Sequence, residues 1–86
     1  MYLHLGQNVV VPSETVIGIF DMDNTTGSHL TRAFLNGAEK VGQIVNISDD
    51  LPKSFIVCCA NGDKTIYLSQ LSSSTLFKRS ETSLFS

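Results

Sequence analysis

Two runs of strand-forming residues joined by an Asn-Gly pair constrain the fold of this sequence more than any other feature. The first run, Ser54–Ala60, is mostly apolar, and the second, Lys64–Leu71, alternates apolar with polar residues. Asn61-Gly62 between them is the composition of a two-residue hairpin turn, because both positions tolerate a positive φ angle. The pattern therefore predicts two antiparallel strands at the centre of the fold.

The N-terminal part of the chain predicts a second hairpin and a further strand. Tyr2–Leu5 and the β-branched run Val9–Val11 flank a turn-forming Gly-Gln-Asn triplet. Pro12 ends the second of these strands, because proline cannot donate to a strand ladder. The segment Val16–Phe20 is again strand-like, and Gly18 inside it predicts the close approach of another backbone or of a large side chain.

One segment, His29–Val41, has the apolar periodicity of a long helix. The residues predicted to face the core are Leu30, Ala33, Phe34, Ala38 and Val41. Leu35 lies off that face and is therefore a candidate for a subunit contact. Gly37 lowers the helix propensity but allows close packing, and Gly42 stands where a helix C-terminus favours glycine.

The remaining segments predict short elements. Ile44–Ile47 is a short strand candidate, and Ser72–Thr75 offers N-caps for one short turn of helix that ends at Lys78. The resulting fold class is α+β: a small, mainly antiparallel sheet of about five to six short strands, one long helix and a short C-terminal helical turn. We expect a single domain at residues 1–79 and a frayed tail at residues 80–86.

The strand at Val16–Phe20 leads into Asp21-Met22-Asp23-Asn24-Thr25, which resembles the first motif of haloacid dehalogenase-type phosphotransferases. That fold is a doubly wound parallel sheet and needs several β-α-β units, whereas this chain predicts one useful helix and two hairpins. The phosphotransferase is therefore the more remote alternative. In the preferred interpretation, Asp21 and Asp23 bond backbone N–H groups at the bend that leads into the long helix.

Composition favours self-association over an isolated monomer. The chain has 86 residues, of which 42% are apolar and 16% are charged, whereas about 25% charged residues is usual. A surface with so little charge is expected to be partly covered by neighbouring subunits. The net charge of −2 argues against a strongly basic nucleic-acid binder as a monomer, but a ring that repeats one modest basic patch remains open.

Neither a metal, nor a cofactor, nor a membrane partner is predicted. The cysteines, Cys58 and Cys59, are adjacent in a predicted strand, so their side chains should point to opposite faces as reduced thiols. No Cys or His stands at zinc-ligand spacing. No apolar run approaches the ~18 residues of a membrane span, and Met1–His4 lacks a basic secretion signal, so the cytoplasm is the expected location.

Several segments together resemble the extracellular matrix regulatory protein (RemA/RemB) family, and most closely its RemB branch. The segments that carry the resemblance are M-Y-L-H-L-G at the start, V-I-G-I-F-D-M-D-N-T-T from Val16, T-R-A-F-L from Thr31, L-P-K-S-F-I-V from Leu51 and S-S-S-T-L-F-K-R from Ser72. The resemblance implies a small domain that contains helices and strands, assembles into closed rings, and regulates biofilm matrix genes in the cytoplasm without being an enzyme.

The resemblance also implies where DNA would be bound. In the RemA branch, arginines in the turn after the first hairpin and in the loop before the strand at Ser54–Ala60 contact double-stranded DNA. Here those places hold Glu14-Thr15 and Asp49–Lys53, so only Lys53 matches in charge. The candidate DNA contacts are Lys53, Arg32, Lys78 and Arg79, and the candidate homo-oligomer contacts are Leu35 and His4. A scaffold that binds other regulatory proteins and no DNA remains the alternative.

Overall fold

The computed structural model describes residues 2–22 and 28–85. The elements, in chain order, are β1 (Tyr2–Gly6), β2 (Val9–Pro12), β3 (Val16–Asp21), α1 (Ser28–Lys40), β4 (Ile44–Asn46), β5 (Ser54–Ala60), β6 (Asp63–Ser69) and α2 (Ser73–Phe85). A single 3₁₀ turn at Ser13–Thr15 joins β2 to β3. The predicted strands are thus present, and the α+β class holds.

The strands form two sheets and not one. β1 and β2 are an antiparallel pair on their own, whereas the main sheet has the order β3-β5-β6-β4. β5 pairs antiparallel with both β3 and β6, but β4 runs parallel to β6. The mainly antiparallel prediction is therefore confirmed, and the parallel edge strand was not foreseen. It arises because α1 carries the chain across the sheet before β4 begins.

The turn residues adopt the backbone angles that the sequence predicted. Asn61 and Gly62 have φ angles of 54° and 84° and close the hairpin between β5 and β6. Gly42 has a φ angle of +75°, and the hydrogen bonds from Gln43 N to Ala38 O (2.9 Å) and from Gly42 N to Glu39 O (3.1 Å) form a Schellman motif at the end of α1.

The main sheet separates two hydrophobic clusters because side chains alternate along β5. Ile56 and Cys58 face a cluster formed with the β1–β2 hairpin and α2. Phe55 and Val57 face the other side, towards α1. Cys58 is buried and Cys59 is half-buried, and both are free thiols. The fold is therefore layered: hairpin and α2 on one face of the sheet, α1 on the other.

The prediction of a short C-terminal turn is wrong, because α2 has 13 residues and is as long as α1. Its start was foreseen: Ser72 is the N-cap, and its Oγ accepts a hydrogen bond from Thr75 N at 3.2 Å. Leu76, in the first turn, is completely buried in the cluster under the hairpin and anchors the helix there. Once a helix is nucleated, each further residue is added at low cost, so α2 continues past Lys78. The domain boundary at residue 79 and the fraying of residues 80–86 stay predictions.

The predicted core face of α1 is also wrong in part. Ala38 is buried as expected, but Leu30, Phe34 and Val41 are 67%, 39% and 69% exposed. Leu35, which the periodicity had placed off this face, packs against the cluster under α1. The helix is therefore rotated relative to the predicted orientation, so that a large part of its apolar surface is turned away from the sheet.

Candidate subunit and nucleic-acid surfaces

Asp21 has a structural partner at the end of β3. Its Oδ1 accepts a hydrogen bond from Ser73 Oγ at 2.7 Å, so it ties the edge strand to the start of α2 and not to α1. Asp23 lies outside the described residues. Within residues 2–22 and 28–85, no group of three or more His, Cys, Asp or Glu side chains is placed to hold a metal ion. The main sheet also lacks the parallel order of the phosphotransferase fold.

Lys53 is held by its backbone at the acidic end of the sheet. Its N donates to Ser69 O at 2.8 Å, and its O accepts from Met22 N at 3.0 Å. The side chain is exposed, as are those of Asp49 and Asp50 in the preceding loop. This end of the sheet therefore carries the carboxylates of Asp21, Asp49 and Asp50 beside the single ammonium of Lys53. The excess of negative charge opposes the approach of a phosphate backbone.

Arg79 and His4, which the sequence placed in different roles, are brought together by the packing of α2 on β1. Arg79 Nη1 donates to the His4 carbonyl oxygen at 3.2 Å, and the His4 Nε2–H donates to Gln7 O at 2.7 Å. Lys78 is exposed next to Arg79 on the same helix. His4, Lys78 and Arg79 are called the hairpin–α2 surface below.

The four candidate DNA contacts do not form one patch in a single subunit. Arg32 is exposed on α1, on the opposite face of the main sheet from Lys78 and Arg79. Lys53 lies at one end of the sheet between these two layers. The fold therefore distributes the cations over three places.

The two loops that the resemblance assigned to DNA contact lie towards opposite ends of β5. Val16, which follows the 3₁₀ turn with Glu14, pairs with Cys58, whereas Asp49–Lys53 directly precedes Ser54. A strand rises about 3.4 Å per residue, so the loops are separated by roughly 15 Å along the strand. They can act together only across subunits or on an extended ligand.

An open apolar groove between α1 and the β3–β5 edge was not foreseen. Its volume is about 300 Å³, and its lining residues are Phe20, Leu30, Thr31, Phe34, Phe55 and Val57. The rings of Phe20 and Phe55 stack with their centroids 5.0 Å apart, and Lys64 Nζ lies 5.8 Å from the centroid of Phe34. These contacts make the groove an aromatic surface with a cation at its rim.

Gly18 explains how Phe20 comes to line this groove. A Cβ atom at Gly18 would lie 2.6 Å from Cε2 of the Phe20 ring, so the ring occupies the space above the glycine. The prediction that Gly18 marks the close approach of a large side chain is confirmed. The sequence signal for the groove was this glycine, two residues before an aromatic residue on the same face of the strand.

The buried Cys58 thiol is not a reactive group at neutral pH. Burial raises the pKa of Cys58 above its ordinary range, and the hydrogen bond with the Thr15 side chain offsets this only in part. A thiol with a raised pKa stays protonated and is a poor nucleophile. Cys58 therefore contributes to packing.

Comparison of the sequence with known proteins places this chain among the extracellular matrix regulatory proteins. The sequence profile of the RemA-like family, described as "Extracellular matrix regulatory protein A-like", matches residues 2–79, and the chain belongs to this family. It is 38% identical over 81 residues to Extracellular matrix regulatory protein B of Bacillus subtilis (strain 168), which covers 94% of this chain and 91% of that protein. None of the helices in the described ranges is long and apolar enough to cross a membrane.

Proposed function

We propose that this protein is a non-enzymatic, cytoplasmic regulator of extracellular matrix (biofilm) gene expression that binds double-stranded DNA as a homo-oligomeric ring. Membership of the RemA-like family supports the regulatory role. The observation that supports this mechanism is the distribution of the cationic side chains. Any one surface of a subunit presents only one or two of them to an anionic partner, so several subunits are needed for firm binding.

The hairpin–α2 surface is the best DNA contact within the subunit. The bond from Arg79 to the His4 carbonyl fixes the guanidinium against β1, and Lys78 is exposed beside it. Lys53, by contrast, shares its end of the sheet with Asp21, Asp49 and Asp50. Lys78 and Arg79 therefore make the main phosphate contacts, and Lys53 and Arg32 are secondary.

Repetition makes such weak contacts sufficient. Each phosphate contact contributes about −0.9 to the slope of log K against log salt, so a single subunit with two contacts binds weakly at physiological salt. Subunits linked in a ring bind at effective concentrations on the order of millimolar once the first has bound. Affinity then grows with the number of copies that reach the same duplex.

The test is the salt dependence of binding to duplex DNA, measured by electrophoretic mobility shift for the parent and for Lys78→Ala. Loss of Lys78 should weaken binding and lower the salt slope by about one for each subunit on the DNA. Lys40→Ala is the matched control: Lys40 is an exposed lysine on α1, and its loss should leave the slope unchanged. If the parent gives no shift at low salt, DNA binding is eliminated.

The mass in solution tests the assembly independently. A mass several-fold above the 9.4 kDa of one chain supports the ring, and a monomer removes the multivalency argument.

The second candidate is a scaffold that binds other regulatory proteins and never contacts DNA. The loop before β5 favours it, because Leu51 is 88% exposed and follows Asp49 and Asp50 directly. An exposed apolar side chain beside two carboxylates suits a protein partner better than a phosphate backbone. An assembled protein that gives no mobility shift would select this candidate.

A further inference from the structure

Helix α1, together with Val41 directly after its end, carries an apolar stripe that the rest of the subunit covers only in part. The residues of this stripe, called the α1 seam, are Leu30, Phe34, Gly37 and Val41. They are spaced four, three and four residues apart, which is the spacing of a coiled-coil seam. The core-facing residues Leu35 and Ala38 lie beside this stripe, and Phe34 borders the core, since its ring centroid is 6.2 Å from that of Phe55. The seam is therefore an exposed apolar surface that continues from the edge of the core.

Gly37 in the middle of the seam has no role in packing within the subunit. A Cβ atom at this position would have nothing within 4 Å, and its φ angle is not among the positive ones. Glycine is the least favourable residue after proline inside a helix, so its presence there weakens α1 without an internal gain. A glycine on an exposed seam lets another backbone or a large side chain approach closely.

We infer that a second copy of this chain packs its α1 helix antiparallel against the α1 seam. The four-three-four spacing of the seam is the same from either end of the helix. A two-fold axis between Phe34 and Gly37 therefore brings each Phe34 onto the partner's Gly37. The same axis brings each Leu30 against the partner's Val41. A parallel pair would instead place two phenylalanines in one layer and two glycines in another, which leaves both crowding and a gap.

The exposed area fits this occupant. With about 150–250 Å² for a large side chain, the exposed fractions of the three seam side chains give roughly 300 Å² of apolar surface. These fractions are 67% for Leu30, 39% for Phe34 and 69% for Val41. That area lies in the range of about 300–600 Å² at which an exposed patch is often functional.

The two copies together would bury roughly 600 Å² from these residues, and the polar rim must supply the rest of the ~1,000 Å² expected of a specific interface. The pairing rests on the proposed homo-oligomer and specifies one of its contacts. A self-complementary contact closes after two copies, so a ring requires a further contact on another surface.

The first test compares the mass in solution of Leu30→Glu with that of Asn36→Glu. Both substitutions add the same charge to an exposed position of α1, but only Leu30 belongs to the seam. A glutamate near the start of a helix suits its dipole, so folding is retained, as circular dichroism would show. We expect Leu30→Glu to weaken pairing at least about tenfold, and Asn36→Glu to resemble the parent.

Gly37→Leu separates pairing from folding. A leucine raises the helix propensity of α1, and its Cβ has no neighbour within 4 Å in the subunit, so the thermal midpoint of the dissociated chain should rise. The same side chain blocks the partner's Phe34, so pairing should weaken. A mass equal to that of the parent would contradict the predicted close approach.

Thiol cross-linking tests the orientation. Leu30→Cys and Val41→Cys chains are mixed and treated with a short bismaleimide, and the linked peptides are identified by mass spectrometry, with the parent as the background control for Cys58 and Cys59. Antiparallel pairing predicts links from position 30 to position 41. Links from 30 to 30 and from 41 to 41 overturn it.

The outcomes separate this inference from the proposed function. An assembled parent whose mass is unchanged in Leu30→Glu and Gly37→Leu overturns the α1 pairing and leaves the ring proposal standing. A monomeric parent overturns both.

Discussion

The hydroxyl of Ser69 joins the β1–β2 hairpin to the main sheet, and its removal should be costly. Ser69 is completely buried at the end of β6. Its Oγ donates to Leu5 O at 2.6 Å and accepts from Leu71 N at 3.0 Å. Ser69→Ala leaves both backbone groups without this partner. Leu5 is also completely buried, so its carbonyl cannot reach water, whereas Leu71 is half-buried and its N–H is less affected.

A buried group left without a hydrogen bond costs about 1–3 kcal/mol, so the two together should lower the free energy of unfolding by roughly 2–4 kcal/mol. A small domain has about 5–15 kcal/mol in total, and the effect is therefore easily measured. Urea unfolding followed by circular dichroism gives the value, at one fixed protein concentration, because assembly raises the apparent stability.

The control for this experiment is Ser74→Ala, on the exposed side of α2. The Ser74 hydroxyl is exposed and bonds to the Ser72 Oγ at the start of the helix, at 3.1 Å, so its loss should change the free energy of unfolding by less than about 0.5 kcal/mol. If Ser69→Ala also falls below that limit, the Leu5 carbonyl has another partner, and the argument that one hydroxyl anchors the hairpin is refuted.

Two further predictions concern Gly18 and Cys58. Gly18→Ala should displace the Phe20 ring and lose the stacking on Phe55, about 0.5–1.5 kcal/mol, so the thermal midpoint of the dissociated chain should fall. Gly37→Ala, whose Cβ meets nothing within the subunit, should raise the midpoint of the dissociated chain, and equal shifts would contradict the predicted clash. The raised pKa of Cys58 means that the unfolded chain loses this proton at a lower pH than the folded chain. The stability it provides is therefore complete below the ordinary thiol pKa of about 8.5 and declines as the pH rises through the folded value. Urea unfolding between pH 7 and pH 11 should show a smaller decline for Cys58→Val, and parallel curves would contradict this.

Local signals in the sequence predicted the parts of the fold that depend on a few neighbouring residues. Asn61-Gly62 fixed a hairpin because only certain residues tolerate its backbone angles. Gly42 marked the end of α1 for the same reason, and Gly18 predicted the close approach of a large side chain, which is the Phe20 ring. Each of these signals specifies a conformation within two or three residues, so no knowledge of the tertiary structure was needed.

The errors concern features that distant residues decide. The polar sequence after Lys78 does not indicate that α2 continues to Phe85. The helix starts on the buried Leu76 under the hairpin, and extension from an anchored first turn is cheap because nucleation is the costly step. The orientation of α1 follows from its packing on the sheet, where Leu35 lies inside and Phe34 is left partly exposed. The apolar residues of α1 occupy more than one side of the helix, so their periodicity alone could not decide which side is buried.

The same ambiguity affected the candidate site. Sequence reasoning favoured Lys53 because it matched a family position in charge, but the charges around it depend on the pairing of β3 with β5, which brings Asp21 to the same end of the sheet. The meeting of Arg79 with His4 joins residues at opposite ends of the chain. No local sequence pattern predicts such a contact, because it forms only when α2 packs against β1.

The layered fold connects the two proposals through the opposite positions of α1 and α2. If two copies pair through their α1 seams, each α2 remains on the face of its own sheet that lies away from α1. Lys78 and Arg79 of both copies then stay accessible to DNA. Every added copy brings a net charge of −2 as well, so assembly helps DNA binding only if it presents these cations together while the acidic end with Asp49 and Asp50 is turned away. Pairing through α1 leaves both α2 helices uncovered but on opposite outer sides of the pair. The contact on another surface that closes the ring must therefore bring the cations of neighbouring copies onto one duplex, and α1 pairing increases avidity only by adding copies to the assembly.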